Sequence, residues 1–173
     1  MHSFILFSLL LVISCSRQEK NKNLQSIDKK EFNDRLILSH QAFLEKEKGR
    51  IDYYIDSLGF PFEKTGTGLR YYIEEKNEGG DSLKIGDVAV IDYKLTSIYG
   101  DSLYETVEGL AQEFMVGYDQ VESGLHEGIQ FMHVGERAIF ILPAHLAHGI
   151  TGDQAAIRSQ TTLVYKVHLL AKK

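Results

Sequence analysis

The chain has 173 residues, a formal net charge of -5 and 43% apolar residues, which allows one ordinary domain with an extension and excludes wholesale disorder. No basic block interrupts the acidic balance, which argues against nucleic acid as a partner. Only one cysteine is present, so no intramolecular disulfide can form in any compartment.

Taken in order, the chain opens with an apolar run from Phe4 to Ile13 that closes on Val12-Ile13-Ser14-Cys15. The run is too short to span a bilayer as a helix and suits the hydrophobic region of a signal peptide. Val-Ile-Ser-Cys resembles the bacterial lipobox, which implies that residues 1–14 are removed and that Cys15 is lipidated as the new N-terminus. The start departs from the usual pattern, because it holds His2 and no Lys or Arg. A buried cysteine beside an ordinary cleavage site is the alternative reading. Residues 15–25 are polar and aperiodic, and they read as a tether. Ser16-Arg17-Gln18 lacks the acidic run that resembles surface-export signals, which puts the lipid-anchored chain on the periplasmic side of a bacterial cell envelope.

Residues 26–60 read as a helical extension. Ser26 or Asp28 can cap its start, and Phe32, Leu36, Phe43, Ile51, Ile55 and Leu58 fall near one stripe. Gly49 weakens the middle by roughly 1 kcal/mol relative to Ala, which predicts a bend or break there. Gly59 suits the C-cap and Pro61 the stop. The stripe either docks on the following domain or pairs with a second copy. Its irregular spacing favours docking over a heptad seam, which leaves a monomer or a weak dimer through the N-terminal helix.

Strands are predicted at Leu69–Glu75, Val88–Leu95, Ser102–Thr106, Glu113–Val116 and Thr161–Leu170, with turns at Asn77–Asp81 and Tyr99–Asp101. In the second, Ala89, Ile91, Tyr93 and Leu95 share a face. In the last, Leu163, Tyr165, Val167 and Leu169 point one way and Thr162, Lys166 and His168 the other, which predicts one wet face. Between them, Leu125, Ile129 and Met132 recur at helical spacing, Gly135 allows a tight turn, and Arg137–Leu142 is a buried strand ended by Pro143. So short a helix cannot stabilise itself in water and must be wrapped by the strands around it. The fold class is therefore α+β: a curled antiparallel sheet around one short helix, preceded by a long N-terminal helix.

The residues Gly124, Leu125, Glu127, Gly128, Ile129, Met132, Gly135, Glu136, Arg137 and Ala138 stand in an order that resembles the FKBP-type peptidyl-prolyl isomerases. The likeness extends to Gly86-Asp87, Val90–Tyr93, Gly149–Asp153 and Thr162–Val167, and it implies an FKBP-type domain over residues 65–173. What it implies about the site follows residue by residue. Tyr93, Tyr104, His148 and Tyr165 fall on the catalytic positions, and Leu103, Phe114, Val121, Glu122, Leu125 and Ile157 on the substrate-binding ones. Tyr93, Phe114, Val121, Ile157 and Tyr165 keep the family's chemistry. Leu103 replaces an aromatic wall residue and Tyr104 an acidic one. Glu122 replaces an isoleucine whose backbone N–H binds ligand, and leaves that N–H available. Leu125 replaces the floor tryptophan. His148 replaces a tyrosine whose hydroxyl meets the ligand carbonyl, and an imidazole would make that donation pH-dependent.

The resemblance implies a prolyl isomerase with an altered polar rim and reduced activity. It would use no cofactor and no metal, and would act on Xaa-Pro segments of exported proteins. The alternative is an FKBP-like chaperone or assembly module that binds Pro-containing segments with little turnover. Lipobox, long helix and single domain together are similar to the FKBP-type lipoproteins associated with gliding motility. His145 and His148, with His126 and His133 upstream, lack a third ligand in register for zinc.

Overall fold

The computed structural model describes residues 28–173, so the signal-peptide and Cys15 assignments lie outside the described residues. The described residues divide into two units, 28–40 and 41–173. Helix α1 runs over Lys29–Leu58. Asp28 caps its start, accepting from the Lys30 N–H at 3.2 Å. The helix runs through Gly49 without a break. Gly59 closes it at φ 71°, its N–H donating to the Ile55 carbonyl at 3.2 Å.

The second unit holds one sheet of seven strands: β1 Glu63–Lys64, β2 Arg70–Glu75, β3 Val88–Ser97, β4 Ser102–Glu105, β5 Gln112–Met115, β6 Arg137–Leu142 and β7 Leu163–Lys172. All pairings are antiparallel, in the order β1-β2-β6-β7-β3-β4, with β5 on β3. The two-residue β1 is absent from the strands expected of the sequence. Helix α2, Ser123–Ile129, lies on the concave side. Ala89, Ile91 and Leu95 of β3, Ala138, Phe140 and Leu142 of β6, and Leu163, Tyr165, Val167 and Leu169 of β7 pack there in one core with Leu125 and Ile129. The face predicted for β7 is therefore the face that meets the helix.

The expectation of one wet face needs correction. Ile139 and Ile141 of β6, Val164 of β7 and Ile98 form a second cluster with Ile51, against which Tyr54, Ile55 and Phe62 pack. The second half of α1 thus covers the back of the sheet. Glu47 completes the docking from a position only 2% exposed. Its Oε1 accepts from the Ala144 N–H and the Thr162 hydroxyl, both at 2.7 Å. Thr162 belongs to the face expected to be wet, and it is buried because this carboxylate satisfies its hydroxyl.

Candidate active site

Three local devices position the site. The first is close packing of α2 on β6: a Cβ at Gly124 would lie 2.5 Å from Leu142 Cγ, and one at Gly128 2.9 Å from the Phe140 ring. Glycines one turn apart let the helix approach the strand, so Leu125 reaches the floor of a basin rather than standing above it. The second is the turn after α2, where Gly135 takes φ 91°. There the buried Glu136 accepts from the Asn77 N–H at 2.9 Å and the His133 N–H at 2.8 Å. The third is the loop before β7. Asp153 Oδ1 accepts from the Ala155 N–H at 2.9 Å and the Ile157 N–H at 2.8 Å, an Asx-type turn that carries Ile157 inward.

The basin holds about 210 Å³. Nine of the ten residues proposed for it line it: Tyr93, Tyr104, Phe114, Val121, Glu122, Leu125, His148, Ile157 and Tyr165. Leu103 does not. It neighbours Tyr104 in β4, where successive side chains face opposite ways, and it lines a separate cleft behind the strand while packing on the core. The basin also takes in Ile91, Leu95, Gln112, Gln120 and Asp153, which the sequence reading omitted. For Asp153 a signal existed, since Gly149–Asp153 carries part of the resemblance.

The polar rim is bonded within itself. His148 Nε2 lies 2.9 Å from Glu122 Oε1, and the Glu122 side chain is 8% exposed. A carboxylate only accepts, so Nε2 is the donor in this contact. Across the mouth, the Tyr104 hydroxyl donates to Asp153 Oδ2. That bond, helped by the backbone N–H groups of Ala155 and Ile157, holds the Asp153 carboxyl down at about 2.

Two tyrosines stand below. The Tyr93 and Tyr165 rings are 5.5 Å apart and tilted by 51°. Burial pushes both hydroxyls up, and the Glu122 carboxylate adds to it, so both stay protonated donors. Neither the Tyr93 hydroxyl nor the Glu122 backbone N–H has an acceptor among the described residues. Both groups are free to meet a ligand carbonyl. His126 is engaged elsewhere: Nδ1 accepts from the Gly117 N–H at 2.9 Å and Nε2 donates to the Asp119 carbonyl at 3.0 Å.

The sequence pattern of the FKBP-type peptidyl-prolyl cis-trans isomerases matches residues 79–170. The chain belongs to that family. The FKBP-type chain is 33% identical over 94 residues to human peptidyl-prolyl cis-trans isomerase FKBP10, covering 54% of this chain but 16% of that protein. It is 32% identical over 114 residues to FK506-binding protein 2 of Dictyostelium discoideum, covering 64% of this chain and 81% of that one. Its fold is similar to the crystal structure of FkpA from Escherichia coli, with a TM-score of 0.65, 26% identity, and 92% of this chain and 74% of that chain covered.

Proposed function

We propose that the FKBP-type domain is a working prolyl isomerase, acting on Xaa-Pro segments of exported polypeptides from a membrane anchor at Cys15. The observation that carries the catalytic part is an apolar basin floored by Leu125 and walled by Tyr93, Phe114, Ile157 and Tyr165, with two unengaged donors at its rim.

The barrier to turning a prolyl amide, about 20 kcal/mol, is amide resonance. The twisted transition state has lost that resonance and is less polar than the planar amide. A dry basin removes the water that stabilises the planar form, and a fixed donor orients the carbonyl. The Glu122 backbone N–H and the Tyr93 hydroxyl supply donors in this site. No nucleophile is needed.

Isomerisation of short Xaa-Pro peptides tests this reading. The parent should exceed the uncatalysed rate, which otherwise leaves half-times of roughly tens of seconds. His148→Tyr should hold or raise kcat/KM, His148→Phe should lower it modestly, and Tyr165→Leu should lower it further. If the parent and all three variants run at the uncatalysed rate, the enzyme reading fails. One observation favours the alternative of a binding module with little turnover: both rim side chains that could meet a substrate, Tyr104 and His148, are already bonded to Asp153 and Glu122. The anchor rests on Val12–Cys15. A Cys15→Ser protein that still incorporated labelled palmitate and sedimented with membranes would remove it, and with it the periplasmic placement.

A further inference from the structure

Behind the wall of the basin lies a second, larger hollow of about 710 Å³, against about 210 Å³ for the basin itself. The second half of α1 forms one side through Phe43, Lys46 and Arg50, and the β3–β4 turn and the loop before β7 form the others. The partition is one strand thick. In β4 Leu103 faces the cleft and Tyr104 the basin, and in the loop Arg158 faces the cleft and Ile157 the basin.

The cleft differs in charge from the molecule. The chain is net -5, yet Lys46, Arg50 and Arg158 line this hollow, with Asp101 the one acidic group among its lining residues. Among the described residues none of the three cations forms an ion pair. Arg50 Nε is buried there without a hydrogen-bond partner. Nearby carboxylates do not relieve it. Glu47 holds Ala144 and Thr162, and Asp101 accepts from the Ser97 hydroxyl at 2.8 Å. A buried N–H donor with nothing to donate to is costly unless a ligand supplies the acceptor. A concave site lined mainly by one sign of charge concentrates ions of the other.

We infer that this cleft binds an acidic stretch of an extended polypeptide, its carboxylates on Lys46, Arg50 and Arg158 and its apolar side chains against Phe43, Ile98 and Leu103. A free inorganic anion would leave those apolar walls unused. The inference rests on the reading of the protein as one that handles polypeptides, but not on turnover. A chain whose prolyl bond sits in the basin has the cleft one strand away.

The test uses the full chain and a fluorescent peptide of alternating Glu and Leu without proline, its Gln–Leu counterpart, and inorganic phosphate. Anisotropy should show the Glu peptide binding about tenfold tighter than the Gln peptide, with the advantage falling at high salt. Arg50→Gln should remove most of that advantage. So should Lys46→Gln combined with Arg158→Gln, two exposed positions whose change leaves the fold intact. All variants should isomerise short Xaa-Pro peptides like the parent. Equal binding of the two peptides, or an unchanged Glu-peptide affinity in the double variant, overturns the inference. Phosphate that binds as tightly as the Glu peptide also overturns it, in favour of a small-anion site. Peptide binding in a parent without isomerase activity would support the cleft while removing the enzyme reading.

Discussion

Glu122 and His148 depend on each other. Where the family resemblance expects an isoleucine and a tyrosine, this chain has a carboxylate and an imidazole 2.9 Å apart at the mouth of an apolar basin. Removing the ring alone leaves a carboxylate that is 8% exposed without its partner. His148→Phe should therefore lower stability by about 1–3 kcal/mol as well as slowing catalysis. Glu122→Ile added to it should recover most of the loss, because an apolar pair replaces a broken polar one. Denaturant melts of the two single variants and the double decide this, and additive losses would show that the pair does not interact. At Asp153 the effect is one of pH. Its carboxyl is depressed from the ordinary 3.8 to about 2 in the folded state, so its stabilising effect is complete above about pH 4 and is lost as pH falls toward 2. Asp153→Asn should abolish that part of the acid sensitivity, and Tyr104→Phe, which deletes the largest cause, should shrink it. Acid titrations followed by circular dichroism would show both. The pairing of Tyr104 with Asp153 was not legible in the sequence, since 49 residues separate them and only the folded loop brings them together.

At the scale of elements, glycines on two helices carry opposite expectations. Gly128 faces the buried Phe140 ring at 2.9 Å, so Gly128→Ala should cost about 1–3 kcal/mol by overpacking, read from urea melts. Gly49 has nothing within 4 Å of where a Cβ would stand and lies inside a continuous helix. Gly49→Ala should stabilise by up to about 1 kcal/mol through helix propensity. Equal effects at the two positions would contradict the close approach of α2 to β6. Periodicity made the core strands legible: Arg137–Leu142 has the bounds expected, and Leu163, Tyr165, Val167 and Leu169 share the face expected. It misled where a second layer intervened. A period of two reports the side chains that alternate and is silent on what covers them, so Val164 and Thr162 gave no sign of the helix above them. Leu103 was misplaced for a related reason. A motif transfers residue positions, but the side on which a strand residue emerges depends on its register, and β3–β4 pairing shifts between Leu95 and Thr96.

For the molecule as a whole, the question is how much chain the FKBP-type fold needs. Among the described residues, its two hydrophobic clusters draw on residues from Ile51 onward, and the first buried polar group is Glu47. A protein beginning at Gln41 keeps every one of these. It should melt like the full chain and isomerise short Xaa-Pro peptides at the same rate. A protein beginning at Gly59 loses Ile51, whose burial is worth about 1.5–3 kcal/mol, and uncovers Ile139, Ile141 and Val164 on the back of the sheet. It also leaves the Ala144 N–H and Thr162 hydroxyl without the Glu47 acceptor, at roughly 1–3 kcal/mol for each buried group. Together these predict a loss of about 4 kcal/mol or more, a large part of the ~5–15 kcal/mol available to a domain. Glu47→Ala in the full chain isolates the polar share and should cost at least about 2 kcal/mol. Ala144 opens the turn that leads to His148, so the same variant should also broaden the amide signals of residues 144–148 in NMR spectra. A protein from Gly59 as stable as the full chain would mean that the family domain is complete without its helix, and that α1 rests on the sheet without holding it.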